Sequence, residues 1–112
     1  GMLESIYQRA LQHELALRKL PVMAQVAVPV VYKGVALHAD LRLDLLVAGT
    51  VIVEVKAVAV IEDIHRAQLL TYLRLADLQA GLIINFNVAA LRDGIRRVAN
   101  SLRSSAPSAP LR

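Results

Sequence analysis

The sequence predicts one α/β domain whose mixed β-sheet is covered by helices. Three observations predict this fold class: an apolar pattern of helical period at the start of the chain, three valine-rich segments after it, and a second helical pattern before a fourth strand segment. A helix between two strands permits a parallel crossover. The expected order is therefore α-β-β-β-α-β, followed by one further helix. A length of 112 residues and a hydrophobic content of 56% suit one domain with a single packed core.

The first helix is predicted over Leu3–Lys19, where apolar side chains recur at helical spacing. Leu20-Pro21 ends this pattern, because proline cannot continue a helix. The following segment, Val22–Tyr32, is rich in valine and partly alternating, which is typical of a strand. Its Pro29 lacks a backbone N–H, so we expect an edge strand or a bulge there.

The next two strands are predicted at Val35–Val47 and Val51–Val58. Lys33-Gly34 is typical of the turn that precedes them, and Ala48-Gly49-Thr50 connects them. The first three strands therefore form an antiparallel meander.

The second half of the chain predicts a helix, a strand and a last helix. Helical period returns over Ile61–Ala76, and Glu62 and Asp63 suit the positive end of the helix dipole. Ala80–Phe86 is short and apolar, as in a buried strand. The last helix is expected to have an apolar side and an arginine-bearing side. The apolar side comprises Val88, Leu91, Ile95, Val98 and Leu102, and the other side Arg92, Arg96, Arg97 and Arg103.

Composition bounds the kind of protein and its surroundings. We expect the domain to span residues 1–103, and the serine- and proline-rich segment 104–112 to be a flexible tail. The absence of cysteine excludes disulfides, thiolate metal sites and cysteine nucleophiles, and suits the cytoplasm. No uncharged apolar run approaches the roughly 20 residues that a membrane span needs. The net charge of +4 permits a polyanionic partner such as nucleic acid.

Three charged residues, Asp44, Glu54 and Lys56, stand inside the two most apolar strands. Glu54 and Lys56 share a face, because side chains alternate along a strand. A two-residue loop, Gly49-Thr50, would send the two carboxylates to opposite faces, whereas a three-residue loop, Ala48-Gly49-Thr50, places Asp44 opposite Glu54. We prefer the three-residue loop, because it gathers the apolar side chains on one face. These are Leu43, Leu45, Val47, Val51, Val53 and Val55.

Two opposed carboxylates, with Cβ atoms about 4.5 to 5.5 Å apart, repel each other unless something neutralises them. A divalent cation would do so, and oxygen ligands without cysteine favour Mg²⁺ or Mn²⁺. The ammonium of Lys56 beside such an ion can position water and offset charge that develops on a phosphate. The alternative is a half-exposed hairpin whose charges form surface ion pairs of little energetic value.

Taken together, these segments resemble the small bacterial and archaeal GxxExxY proteins, a family of the PD-(D/E)xK nuclease superfamily. GMLESIY at the start of the chain matches the motif that names the family, and RLDLLV with VIVEVKAV is similar to the nuclease hairpin. IHRAQLLTYLRL and GLIINF are similar to the later segments of the family. Leu43 stands where the superfamily name has proline, a substitution that many members show. The resemblance covers nearly the whole chain and implies a restriction-endonuclease-like core.

The resemblance also implies roles for particular residues. Asp44 and Glu54 would bind the metal ion, and Lys56 would be the catalytic lysine. Glu4 matches an acidic residue on the first helix that helps to hold the ion; its alternative role is a first-turn glutamate favoured by the helix dipole. Gln68 and Tyr72 match the Gln-x-x-x-Tyr motif that lies beside the active site of RecB-type exonucleases. Their alternative role is a polar stripe at the sheet edge.

Two functions from different classes follow. The first is a Mg²⁺-dependent nuclease that hydrolyses DNA by in-line attack of water on a phosphodiester. The second is a non-catalytic module of the same fold that binds nucleic acid or another protein. Relatives usually carry one more helix before the GxxExxY motif, so we expect a second subunit to cover the apolar surface in a homodimer. Its contact is expected at the helix of Leu3–Lys19 or that of Val88–Leu102.

Overall fold

The computed structural model describes residues 1–101, apart from the side chains of His38 and Ala39. Within these residues, the fold consists of two helices and five strands, with one short 3₁₀ turn before the last strand. In chain order they are α1 (Met2–Leu17), β1 (Val22–Tyr32), β2 (Val35–Val47), β3 (Val51–Lys56), α2 (Asp63–Ala76), β4 (Ala80–Asn85), the 3₁₀ turn (Leu91–Gly94) and β5 (Ile95–Ala99). The boundary predicted at residue 103 and the tail predicted over 104–112 lie outside the described residues.

The five strands form one mixed sheet in the order β1-β2-β3-β4-β5. β1, β2 and β3 pair antiparallel as a meander, and β4 pairs parallel to β3 because α2 returns the chain across the sheet. The predicted α-β-β-β-α-β core and its mixed sheet are therefore confirmed. The register of β1 on β2 shifts between Pro29 and Val31, where the proline predicted an edge strand or a bulge.

Both faces of the sheet are buried, each under one helix. Leu69 and Leu73 of α2 pack with Ile52 and Ile83 on one face. Leu11 of α1 packs on the other face, against a second group of buried side chains. These are Leu45, Val53 and Ile84. The prediction that β2 and β3 have one apolar face and one charged face is therefore wrong. Ile52 and Val53, which are neighbours on β3, are buried in the two cores on opposite sides of the sheet.

The helix predicted over residues 88–102 is wrong within the described residues. The chain there makes the 3₁₀ turn and then β5, which pairs antiparallel with β4. Burial along β5 alternates, with Val98 buried between two exposed neighbours. Gly94 lets the chain make this turn, because a Cβ there would clash with the carbonyl oxygen of Asn85. Arg96 and Arg97 thus lie on an edge strand, where charged side chains discourage unwanted pairing, and Arg92 lies in the 3₁₀ turn.

No helix among the described residues is long and apolar enough to cross a membrane. The cytoplasmic location expected from composition stays a prediction.

Candidate active site

The turn between β2 and β3 brings the two predicted carboxylates to the same level of the sheet. Ala48 and Gly49 have positive φ angles of 54° and 69°, and the N–H of Thr50 donates to the carbonyl oxygen of Val47 at 3.0 Å. Val47 pairs with Val51, as a three-residue loop requires. This loop prediction is confirmed, and it places Asp44 and Glu54 at opposed positions.

The backbone ladder of β2 and β3 ends just before these carboxylates. Its last described pair is Leu45 with Val53, and beyond it side chains replace backbone acceptors. The N–H of Asp44 donates to Oε2 of Glu54 at 3.1 Å, and the N–H of Val55 donates to Oδ2 of Asp44 at 2.8 Å. Each carboxylate therefore bonds the backbone of the opposite strand, which fixes the two acids side by side at a fork in the sheet.

Burial makes this acid pair electrostatically strained. Glu54 is only 8% exposed. Burial is the larger cause, and the negative charge of Asp44 the second cause, that raise the pKa of Glu54 to about 7. Burial also raises the pKa of Asp44, while its hydrogen bond from Val55 acts in the opposite direction. The positive charge of Lys56 favours the ionised form of both carboxylates, although it does not cancel the effect of burial.

The acid pair and the lysine open into a polar cleft of about 280 Å³. The cleft lies between the start of α1 and the fork of the sheet. Its lining residues are Gly1, Glu4, Ser5, Gln8, Gln25, Asp44, Glu54, Val55 and Lys56. Four residues predicted to form the site, Glu4, Asp44, Glu54 and Lys56, are thus brought together.

Glu4 lies on α1, which a ring contact joins to Phe86, the residue that follows β4. The ring of Tyr7 stacks on that of Phe86, with centroids 4.6 Å apart and planes within 6°. Glu4 stands one turn before Tyr7 and accepts a hydrogen bond from the amine of Gly1 at 2.6 Å. This bond is the main reason that the pKa of Glu4 is lowered, and the positive charge of Lys56 contributes. Glu4 therefore lines the cleft, where the positive charge of Lys56 favours its ionised form.

Gln68 and Tyr72 lie behind the acid pair, outside the lining of the cleft. Nε2 of Gln68 donates to the Tyr72 hydroxyl at 2.8 Å, so the two predicted residues act as a bonded pair on α2. Burial, and then the negative charge of Glu54, raises the pKa of Tyr72. The structure thus brings Tyr72 within electrostatic reach of Glu54, on the other side from α1.

Three polar residues of the cleft were not predicted from the sequence: Ser5, Gln8 and Gln25. Nε2 of Gln25 donates to Oε1 of Gln8 at 2.7 Å and so joins β1 to α1. A signal for Gln25 was present, since it is the single polar residue in the valine-rich run of β1. Asn85 is a further polar residue that was not predicted, and it is 2% exposed. Its side chain accepts a hydrogen bond from the N–H of Val58 and donates one to the carbonyl oxygen of Val58, which secures the chain after β3.

The donor set of the cleft suits a hard divalent cation. Asp44 and Glu54 offer carboxylate oxygens, and their raised pKa values reflect a site where a positive charge would relieve burial and repulsion. Among the side chains that the structure describes, which do not include His38, no three His, Cys, Asp or Glu side chains are gathered closely enough to hold a metal ion. The site therefore fits an ion held by two carboxylates and completed by water or substrate oxygens.

The motif in this cleft can be compared with known families. The model of one family, the PD-(D/E)XK nuclease superfamily, matches residues 1–98. The chain belongs to the PD-(D/E)XK nuclease superfamily. Asp44 and the run Glu54-Val55-Lys56 have the residue types that this name lists, in the same order. Searches among curated proteins and among solved structures gave no significant match.

Membership of the PD-(D/E)XK nuclease superfamily confirms the predicted superfamily and indicates a nuclease-type function that involves nucleic acid. It agrees with the observed fold, a mixed α/β domain with the predicted restriction-endonuclease-like order of helices and strands. The narrower assignment to the GxxExxY family stays a prediction.

Proposed function

We propose that the chain is a metal-dependent nuclease that hydrolyses phosphodiester bonds of DNA. The observation that carries this proposal is the cleft that Asp44, Glu54 and Lys56 share. Each of its two carboxylates accepts a backbone N–H of the opposite strand, and the ammonium of Lys56 lines the same cleft. Superfamily membership supports the reaction class. The net charge of +4 supports a polyanionic substrate.

Each residue of the cleft has a chemical role in this proposal. Asp44 and Glu54 would hold Mg²⁺ or Mn²⁺, and Glu4, which lines the same cleft, would contribute through a water molecule. When bound, the ion would stabilise charge on the phosphate and lower the pKa of water. The Lys56 ammonium would orient water and offset charge on the phosphate oxygens. Hydrolysis forms a bond from the water oxygen to phosphorus, breaks the bond to the sugar oxygen, and transfers a proton to that leaving oxygen.

We assign Gln68 and Tyr72 a supporting role. Their hydrogen bond fixes the Tyr72 hydroxyl close enough to Glu54 for the two to interact electrostatically. Through this electrostatic interaction, Tyr72 would help to set the polarity around the Glu54 carboxylate.

A cleavage assay tests the proposal. The purified protein is incubated with single- and double-stranded DNA and RNA, in Mg²⁺, in Mn²⁺ and in EDTA. We expect metal-dependent cleavage of DNA that Asp44→Asn abolishes. Binding of DNA without cleavage of any substrate, equal in wild type and variant, would support the non-catalytic module instead.

Metal binding gives an independent expected result. Because an ion that binds only the folded state adds stability by mass action, Mg²⁺ or Mn²⁺ should raise the melting temperature. A concentration one hundred times the Kd would add about 2.7 kcal/mol. Asp44→Ala should lose this increase, while Asp40→Ala, which removes an exposed carboxylate of β2, should keep it. Equal increases in wild type and Asp44→Ala would rule out an ion at Asp44.

We further propose that the chain forms a homodimer through α1. This helix has no fully buried residue, and its outer side exposes Met2 (81%) and Leu17 (64%) together with Leu3 and Ile6. Exposed apolar side chains on one helix face favour a partner surface. Light scattering at micromolar concentration should give twice the chain mass, and Ile6→Glu should halve it. A monomer mass for wild type would reject the dimer.

A further inference from the structure

Residue Gln25 has a backbone conformation that a strand does not ordinarily contain. Its φ of 53° lies in the left-handed region, although it is in the middle of β1 and is not glycine. That conformation costs an L-residue roughly 1 to 2 kcal/mol. Gln25 is exposed, so no burial of its own side chain offsets this cost. Such strain is kept when the surrounding structure requires it, and it occurs most often at functional sites.

The strained residue stands opposite Asp44. The pairs on either side of it are Ala24 with Leu45 and Val26 with Leu43, so residues 25 and 44 share one level of the sheet. Their own pair is missing from the ladder. The distortion of β1 therefore coincides with the aspartate of the cleft.

At this level the two strands exchange faces. In a regular strand, residues two apart point to the same side. Here Ala24 and Leu45 pack in the core under α1, whereas Val26 and Leu43 pack in the core under α2. Asp44 is thus at the point of rotation. Its carboxylate extends towards β3, where it accepts the N–H of Val55, and does not enter either core.

Gln25 makes two hydrogen bonds at this level of the sheet. Nη1 of Arg42 donates to the carbonyl oxygen of Gln25 at 3.2 Å. The Gln25 side chain donates to Gln8 on α1, the helix that also carries Glu4. These two hydrogen bonds connect Gln25 to β2 and to α1.

We propose that Gln25 is a positioning residue, whose left-handed backbone turns β2 so that the Asp44 carboxylate faces Val55 and the cleft. The role in catalysis rests on the proposed nuclease function; the role in placing Asp44 does not. Glycine should replace Gln25 well, because it adopts positive φ at no steric cost. Valine should not, because a β-branched residue with positive φ is a genuine outlier.

Amide hydrogen exchange at Val55 tests the placement directly, since its N–H donates to Asp44. Gln25→Gly should keep the protection of the Val55 amide, whereas Gln25→Val should lower it at least about tenfold through local opening. Ile83, a fully buried residue of β4, serves as the internal reference and should be unchanged. Ala27→Val adds the same side chain at an exposed, regular position of β1 and is the matched control.

The same variants are then compared in the cleavage assay. Gln25→Val should lower kcat at least about tenfold with little change in KM, and Gln25→Gly should stay within about threefold of wild type, as expected when only the alignment of reacting groups changes. Gln25→Ala, with its smaller steric penalty, replaces the valine variant if that does not fold. Equal Val55 protection in all variants, or equal loss at Val55 and Ile83, overturns the proposal. If wild type cleaves nothing while Val55 responds as expected, the positioning role stands and the nuclease proposal fails.

Discussion

Replacing Lys56 with alanine should lower DNA cleavage by about two to four orders of magnitude, the usual scale for losing an acid–base or charge-stabilising group. Lys56 lines the cleft with Asp44 and Glu54, and its positive charge acts on both. In the transition state, more negative charge lies on the phosphate oxygens than in the substrate. The ammonium should therefore contribute more to kcat than to binding.

Lys56→Arg should restore little activity, because a planar guanidinium replaces a compact ammonium and does not release its proton. Lys33→Ala is the matched control, since it removes the same charge at the exposed turn between β1 and β2, outside the cleft. Steady-state kinetics on a labelled duplex would measure both effects. Cleavage by Lys56→Ala at the wild-type rate would remove the lysine from the mechanism.

The sequence predicts the opposition of Asp44 and Glu54 because, in a hairpin, the number of loop residues decides which residues of the two strands lie opposite each other. The bounds of β1 and β2 and the three-residue loop at Ala48-Gly49-Thr50 were all predicted, and the loop alone decides that Asp44 lies opposite Glu54. The loop length does not predict the hydrogen bonds from the backbone to Asp44 and Glu54 at the fork. That the carboxylates replace backbone acceptors depends on where β2 and β3 separate, which is a property of the whole sheet.

The two failures have a common physical origin in tertiary pairing. Leu91, Ile95 and Val98 are spaced as on a helix, yet a segment this short fits both periods, and pairing with β4 makes it a strand. The single apolar face was predicted from strict alternation along β2. The rotation at Gln25 breaks that alternation, so that Leu43 and Leu45 enter different cores. The pairing has no local sequence signature, and the rotation has only the polar residue Gln25 within a valine-rich strand.

Glu54→Gln should lower cleavage at least about a hundredfold and at the same time stabilise the metal-free protein at pH 8. Burial and the charge of Asp44 raise the pKa of Glu54 from 4.5 to about 7. The folded state therefore binds this proton more tightly than the unfolded state does. The contribution of Glu54 to the free energy of unfolding is fully favourable below pH 4.5 and is lost as the pH rises to about 7. Above that pH, the wild-type protein carries a buried charge that costs roughly 3 kcal/mol at most.

Glutamine keeps the shape of Glu54 and an oxygen that can accept the N–H of Asp44, but it has no charge to bury. In EDTA at pH 8 we expect the free energy of unfolding to rise by about 1 to 3 kcal/mol. The decline of stability between pH 4.5 and 7 should become smaller. Cleavage should fall at least about a hundredfold, since the preorganised charge for the ion is lost. Glu14→Gln, at an exposed glutamate of α1 outside the cleft, controls for the loss of one carboxylate.

Urea titrations at pH 5 and pH 8, each with EDTA, would measure the stability difference separately from catalysis. A variant that is more stable yet inactive would mean that Glu54 is kept for its charge, at the expense of the fold. If Glu54→Gln were less stable than wild type at pH 8, the carboxylate would have to be paired favourably in the absence of metal, and the electrostatic strain inferred for the acid pair would be wrong. The sign of the difference in the free energy of unfolding between Glu54→Gln and wild type at pH 8 thus distinguishes two kinds of cleft. If the variant is more stable, the cleft requires a cation to neutralise its carboxylates; if it is less stable, the carboxylates are already stabilised by the protein.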